Sequence, residues 1–163
     1  MSSVVTSARG AAVACVLLHA LCLHGPGARA QEVLCAPLQQ IIDAAAADFS
    51  ALGTLPTDGQ PRRAEGSVLL PDMDSCGIDA TEKTVTYGCV KSFAERAGAI
   101  AQVKAYDEAI RACRPGAVRN VIVGVHVYEE PYGESGDVYL MMDMGVDSTG
   151  GRHLFSIGIG LDK

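Results

Sequence analysis

The chain has 163 residues, with 13 Lys and Arg against 19 Asp and Glu and a formal charge of −6 at neutral pH. So acidic a chain offers no electrostatic footprint for nucleic acid, which excludes DNA or RNA as a partner. Its length and its 48% hydrophobic content suit one ordinary domain with a real core, and no internal repeat divides it.

Residues 1–30 read as a cleaved secretory signal. Met1 to Gly10 carries a single charge, Arg9, and Ala11 to Leu23 is an apolar run of signal-peptide length, too short to cross a bilayer comfortably. Gly25-Pro26-Gly27 should break that helix, and Ala28-Arg29-Ala30 sets small residues at the two positions a signal peptidase reads, so cleavage is expected between Ala30 and Gln31. Cys22 follows the bulky Leu21, and Cys15 has too little hydrophobic sequence ahead of it, so neither suits a lipid anchor. Residues 31–163 are then expected to be a soluble exported domain of the periplasm or exterior, with no membrane association after cleavage. Processing removes Arg9 and Arg29 but no acid, which moves the formal charge from −6 to −8.

Four cysteines remain: Cys35, Cys76, Cys89 and Cys113. An even number in an oxidising compartment implies two disulfides, for which three connectivities exist. A tight turn around Glu82-Lys83 would set Cys76 opposite Cys89, which leaves Cys35 to join Cys113 between two helices. There is no Cys-x-x-Cys, and His126 and His153 are distant in sequence, so neither a metal site nor a cofactor is expected.

In chain order, Pro37 suits a first helical turn, and Leu34, Leu38, Ile41, Ile42, Ala45, Phe49 and Leu52 recur at steps of three and four up to Gly53. The stretch TLPTDGQPRRAEG reads as an exposed loop in which Arg62 and Arg63 are a solvated pair. Ser67 to Leu70 begins a first strand, and Thr84 to Cys89 carries a second. Between them, Asp72-x-Asp74-x-x-Gly77 has the outline of a calcium loop, but Cys76 occupies its fifth position and Lys83 its twelfth, so an acidic turn is expected instead. Ser92-Phe93-Ala94-Glu95 fits a capping box and predicts a helix from Phe93, with Phe93, Ala97, Ile100, Val103, Tyr106, Ile110 and Cys113 on its apolar face and Arg114-Pro115-Gly116 at its end.

The last third reads as a three-stranded meander. Val121, Val123, Val125 and Val127 alternate in one strand, Val138, Leu140, Met142, Met144 and Val146 in the next, and Phe155, Ile157, Ile159 and Leu161 in the last. The turns are Glu129 to Gly136 and Asp147 to Gly151. The predicted fold class is α+β: helix, β-hairpin, helix, three-stranded antiparallel meander, with two helices on one face of the sheet. The opposite face, with His126, Tyr128, Tyr139 and Asp143, would be free for recognition.

No motif commits the chain to a reaction. Gly-x-Ser-x-Gly and His-Glu-x-x-His are missing, and no catalytic residue is assigned. Glu129, Glu130, Glu134 and Asp137 surround Tyr128 and Tyr132, a mixture of negative charge and aromatic surface that suits a basic protein partner. The leading expectation is a non-catalytic binding protein, an inhibitor or accessory factor for another envelope or secreted protein, with Tyr128, Glu129, Glu130, Tyr132, Glu134 and Asp137 as its binding set. Two alternatives stand beside it. One is a small hydrolase using His126 or His153, with Tyr128 and Asp143 as neighbours. The other is a metal carrier using Met142 and Met144, whose thioethers would suit Cu(I), or the Asp72 loop.

Overall fold

A computed structural model of the chain describes residues 26–57, 62–131 and 136–162, so residues 1–25 of the expected signal lie outside the described part. Helix α1, Pro26–Ala45, starts before Pro37. Pro37 lies within the helix, and the apolar run that Gly25-Pro26-Gly27 is expected to end lies outside the described residues. Leu34, Leu38, Ile41, Ile42 and Ala45 are among the buried anchors of its described side chains. The helix stops at Ala45 rather than Gly53. Asp48 (φ 51°) and Phe49 (φ 59°) turn the chain, the Phe49 N–H bonds the Ala44 carbonyl at 2.9 Å, and Phe49 and Leu52 reach the core from turns.

The segment expected to be a loop contains strand β1, Arg62–Glu65, paired antiparallel with β2, Ser75–Ala80. Conversely, Ser67 to Leu70 forms no strand. Its backbone groups are satisfied singly: the Ser67 N–H by the Leu52 carbonyl at 2.8 Å, the Val68 N–H by the Tyr87 phenol at 3.1 Å, and the Leu70 N–H by Cys76 Sγ at 3.5 Å. The wholly buried Tyr87 also donates its O–H to the Val68 carbonyl at 2.6 Å, so one phenol does what a neighbouring strand would otherwise do. Strand β3, Val85–Phe93, completes a hairpin with β2, and Cys76 and Cys89, directly opposite, are disulfide-bonded with Cα atoms 4.0 Å apart.

Ser92 caps no helix. Its N–H and hydroxyl both reach Asp74 Oδ2 at 2.9 Å, β3 runs on to Phe93, and helix α2 spans Arg96–Cys113 with Glu95 as an N-cap that makes no side-chain bond. A second disulfide, Cys35–Cys113, ties α1 to the end of α2. The buried positions of α2 are Ala99, Tyr106, Asp107 and Ile110, so its inner face includes a carboxylate that the apolar pattern left outside.

Four strands follow rather than three: β4 (Val118–Ile122), β5 (Val125–Pro131), β6 (Asp137–Val146) and β7 (His153–Asp162). The run from Val121 to Val127 is broken at Val123 (φ 49°) and Gly124 (φ 83°), a two-residue turn of the left-handed kind that matches strand twist. The seven strands form one antiparallel sheet in the order β1-β2-β3-β7-β6-β5-β4, with the last strand of the chain at its centre. Both helices contact β7, α2 also meets β3 and β6, and the two helices touch each other. The sheet's inner side chains, among them Tyr87, Leu140, Met142, Phe155, Ile157 and Ile159, share one core with α1.

The turn at Val123 also reverses the expected facing of β5. His126 lies opposite Met142, and Tyr128 opposite Leu140, both inward, while Val125 and Val127 point to the other side.

Candidate functional site

Asp107 gathers the densest set of polar contacts among the described residues. Although only 8% exposed, its Oδ1 accepts from Arg119 Nε at 2.6 Å and from the Tyr128 hydroxyl and lies 3.0 Å from His126 Nδ1, and its Oδ2 meets Arg111 Nη2 at 3.0 Å. The sheet supplies the geometry. Arg119 and Tyr128 stand opposite each other on β4 and β5, His126 sits two residues along, and α2 lowers Asp107 onto them one turn before Arg111. Nearby, Arg114 bonds Glu130 at 2.7 Å and also Gln39 of α1.

Burial pushes the Asp107 carboxyl up, but hydrogen bonds from Tyr128, His126 and Arg119, with the Arg119 charge, hold it at about 2. The Tyr128 phenol goes the other way, pushed up to about 12 by burial first and by Asp107 second. Neither group can trade protons near neutrality. His126 Nδ1 also lies 3.1 Å from Arg119 Nη2, which can only donate, so the carboxylate favours a proton on Nδ1 and the guanidinium favours a bare nitrogen. The cluster is thus an ionised, acceptor-saturated latch between helix and sheet.

The histidines and their proposed partners separate. His126 and Tyr128 meet, but at Asp107; Asp143 lies on the outward face of β6. His126 and His153 lie on opposite sides of β6, and their partners there, Met142 and Val146, are four positions or roughly 13 Å apart along the strand. His153 lines a cleft of about 280 Å³ with Arg96, Ala99 and Met144. Met142 is wholly buried in the core while Met144 is 39% exposed, so the two do not form a shared open ligand pair. Asp74 is occupied by Ser92 and by Lys91 at 2.8 Å, contacts that, Lys91 first, hold its carboxyl at about 2. Among the described residues no three His, Cys, Asp or Glu side chains cluster as metal ligands.

Of the expected binding set, Tyr128 is 1% exposed and committed to Asp107, and Glu130 is half-buried against Arg114. Glu129 and Asp137 are exposed, and Tyr132 and Glu134 lie outside the described residues. Sequence reasoning missed Asp107 and Arg119. The one available signal was the i, i+4 pair Asp107–Arg111, which also fits an ordinary solvated helix face.

The sheet's outward face carries a different feature. Gly77, Gly88 and Gly158 are in register across β2, β3 and β7 and floor a groove of about 420 Å³. Arg63 and Asp79, paired at 2.7 Å, form one wall, and Met141 and Asp143 the other. Gly77 has a structural reason, since a Cβ there would meet the Ala64 carbonyl at 2.6 Å. Gly158 has none, because a Cβ would meet nothing within 4 Å, and at Gly88 it would meet only Asp79 Oδ2 at 3.8 Å.

What fold and site define together is an α+β domain with two disulfides, helices on one side of the sheet and a grooved face on the other. No helix among the described residues is long and apolar enough to cross a membrane. No protein-family model, curated protein or solved structure matches the chain.

Proposed function

We propose that this is an exported, non-catalytic binding protein that recognises another envelope or secreted protein, as an inhibitor or accessory factor, through the outward face of its sheet. The observation that carries this reading is the groove over Gly77, Gly88 and Gly158, whose last two glycines the chain's own packing does not require. Exposed Glu129 and Asp137 lie toward one end of the same sheet and favour a basic partner. The saturation of Asp107 argues against acid–base chemistry. Export is supported by the signal-like N-terminus and by two disulfides.

The test is affinity capture from an envelope extract with the oxidised, processed protein, in parallel with Gly158→Val and with Glu129→Lys/Asp137→Lys. One dominant basic protein, retained by the parent and lost by both variants, is the expected result. An empty parental column, or retention untouched by either variant, overturns the reading. The His126–Asp107 contact at 3.0 Å is the one observation that favours a hydrolase instead, since it resembles a base with its orienter. Ester or peptide hydrolysis abolished by His126→Ala with folding intact would establish that alternative.

A further inference from the structure

The sheet has two edges, and among the described residues only one is protected. Strand β1 is four residues long and carries Arg62, Arg63 and Glu65. Such short, charged edges resist pairing with other strands. Strand β4 has neither proline, lysine nor acid, and every one of its residues is exposed: Val118 by 59%, Val121 by 52% and Ile122 by 61%. Its single charge, Arg119, is ion-paired with Asp107 of the same chain at 2.6 Å. Among the described residues β4 is hydrogen-bonded to β5 alone.

The hairpin fixes which backbone groups β4 leaves free. A two-residue turn makes its flanking pair, Ile122 and Val125, a hydrogen-bonded one, and bonded pairs then alternate along the ladder to Asn120–Val127 and Val118–Glu129. The N–H and C=O groups of Arg119 and Val121 therefore point outward. We propose that β4 pairs antiparallel with β4 of a second copy of this chain, about a two-fold axis at Asn120, joining two sheets into one of fourteen strands.

The occupant is a second copy because the strand complements itself. About that axis Arg119 faces the partner's Val121 and Val121 faces the partner's Arg119, so the four outward groups of each strand bond those of the other. Val118 and Ile122 meet the partner's Ile122 and Val118 on the outward face, and Asn120 meets Asn120. No like charges face each other, although two acidic domains are being joined: each Arg119 faces the partner's Val121 and is ion-paired with its own Asp107. This surface is separate from the groove, so dimerisation stands or falls independently of the function proposed above.

The test is sedimentation equilibrium of the oxidised, processed protein over a wide concentration range, with two variants. Val121→Pro removes an outward N–H without touching the ladder to β5, a place where an edge strand tolerates proline. Asn120→Lys sets two ammonium groups face to face across the axis. Expected are twice the monomer mass for the parent at high concentration and a monomer for both variants, whose circular dichroism and melting in dilute solution match the parent's. A parent that stays monomeric throughout, or a dimer that survives both substitutions, overturns the proposal. So does a monomeric parent that holds a foreign extended chain in a manner sensitive to Val121→Pro, which would give the edge to another protein.

Discussion

The two halves of the sheet on either side of β7 are fastened by different means. On the β1 side, the Cys76–Cys89 disulfide crosses the β2–β3 hairpin covalently, and Asp74 adds exposed contacts to Lys91 and Ser92. On the β4 side, no disulfide joins the strands, and one buried carboxylate, Asp107, holds β4 and β5 to α2. The first half is closed at its edge by charge; the second leaves an apolar strand open. The difference teaches that the half with the open edge depends on electrostatics for its shape, and the half lined by the groove is covalently braced.

Breaking the latch should produce the largest effect. Asp107→Ala leaves the buried Tyr128 hydroxyl without its acceptor and removes the contacts to His126, Arg119 and Arg111 at once, and is expected to cost about 4 kcal/mol, read as a lower denaturant midpoint, with β4 and β5 affected most. Replacing Cys76 and Cys89 by serine releases a closed loop with a sequence separation of 13 and should cost about 3 kcal/mol in the chain-entropy model, with β2 and β3 affected most. If both variants loosened the same strands, the distinction between the halves would be wrong. Tyr128→Phe keeps the ring and removes one hydrogen bond to the carboxylate, an expected loss of about 1.5 kcal/mol in the same measurement. Asp74→Asn, on an exposed site beside a disulfide, should have the smallest effect of the four.

Acid should separate the halves without mutation. The Asp107 carboxyl is held at about 2, below its ordinary 3.8, so its contribution to stability is present above about pH 4 and is lost as pH falls toward 2. Asp74 is shifted in the same direction, but the strands it joins stay crossed by Cys76–Cys89. The β4 side should therefore open first.

How much of this was legible in the sequence depends on whether local chemistry or tertiary competition decided each position. Cys76 and Cys89 were readable as a pair because the hairpin between them is short, and Leu140, Met142, Phe155, Ile157 and Ile159 alternated cleanly because one face of each strand is buried. Val123 hid a turn, since a β-branched residue in the left-handed region is an outlier that no propensity anticipates. That one turn inverted β5 and brought His126 and Tyr128 inward to a site whose centre, Asp107, looked like helix surface. Ser92 and Glu95 had the right spacing for a cap, but Asp74, eighteen positions before Ser92, won the hydroxyl. Likewise, the apolar run at Ser67 to Leu70 lost its strand to a phenol, Tyr87, nineteen residues away from Val68. Expected binding residues read from acid and aromatic content alone could not separate exposed Glu129 from buried Tyr128.

The most direct test is amide hydrogen exchange, followed strand by strand as pH is lowered from about 4 to about 2, with rates corrected for intrinsic acid dependence. The account predicts that protection in β4 and β5 falls first while β2 and β3 stay protected until the disulfides are reduced. Simultaneous loss in both halves, or earlier loss in β2 and β3, would contradict it.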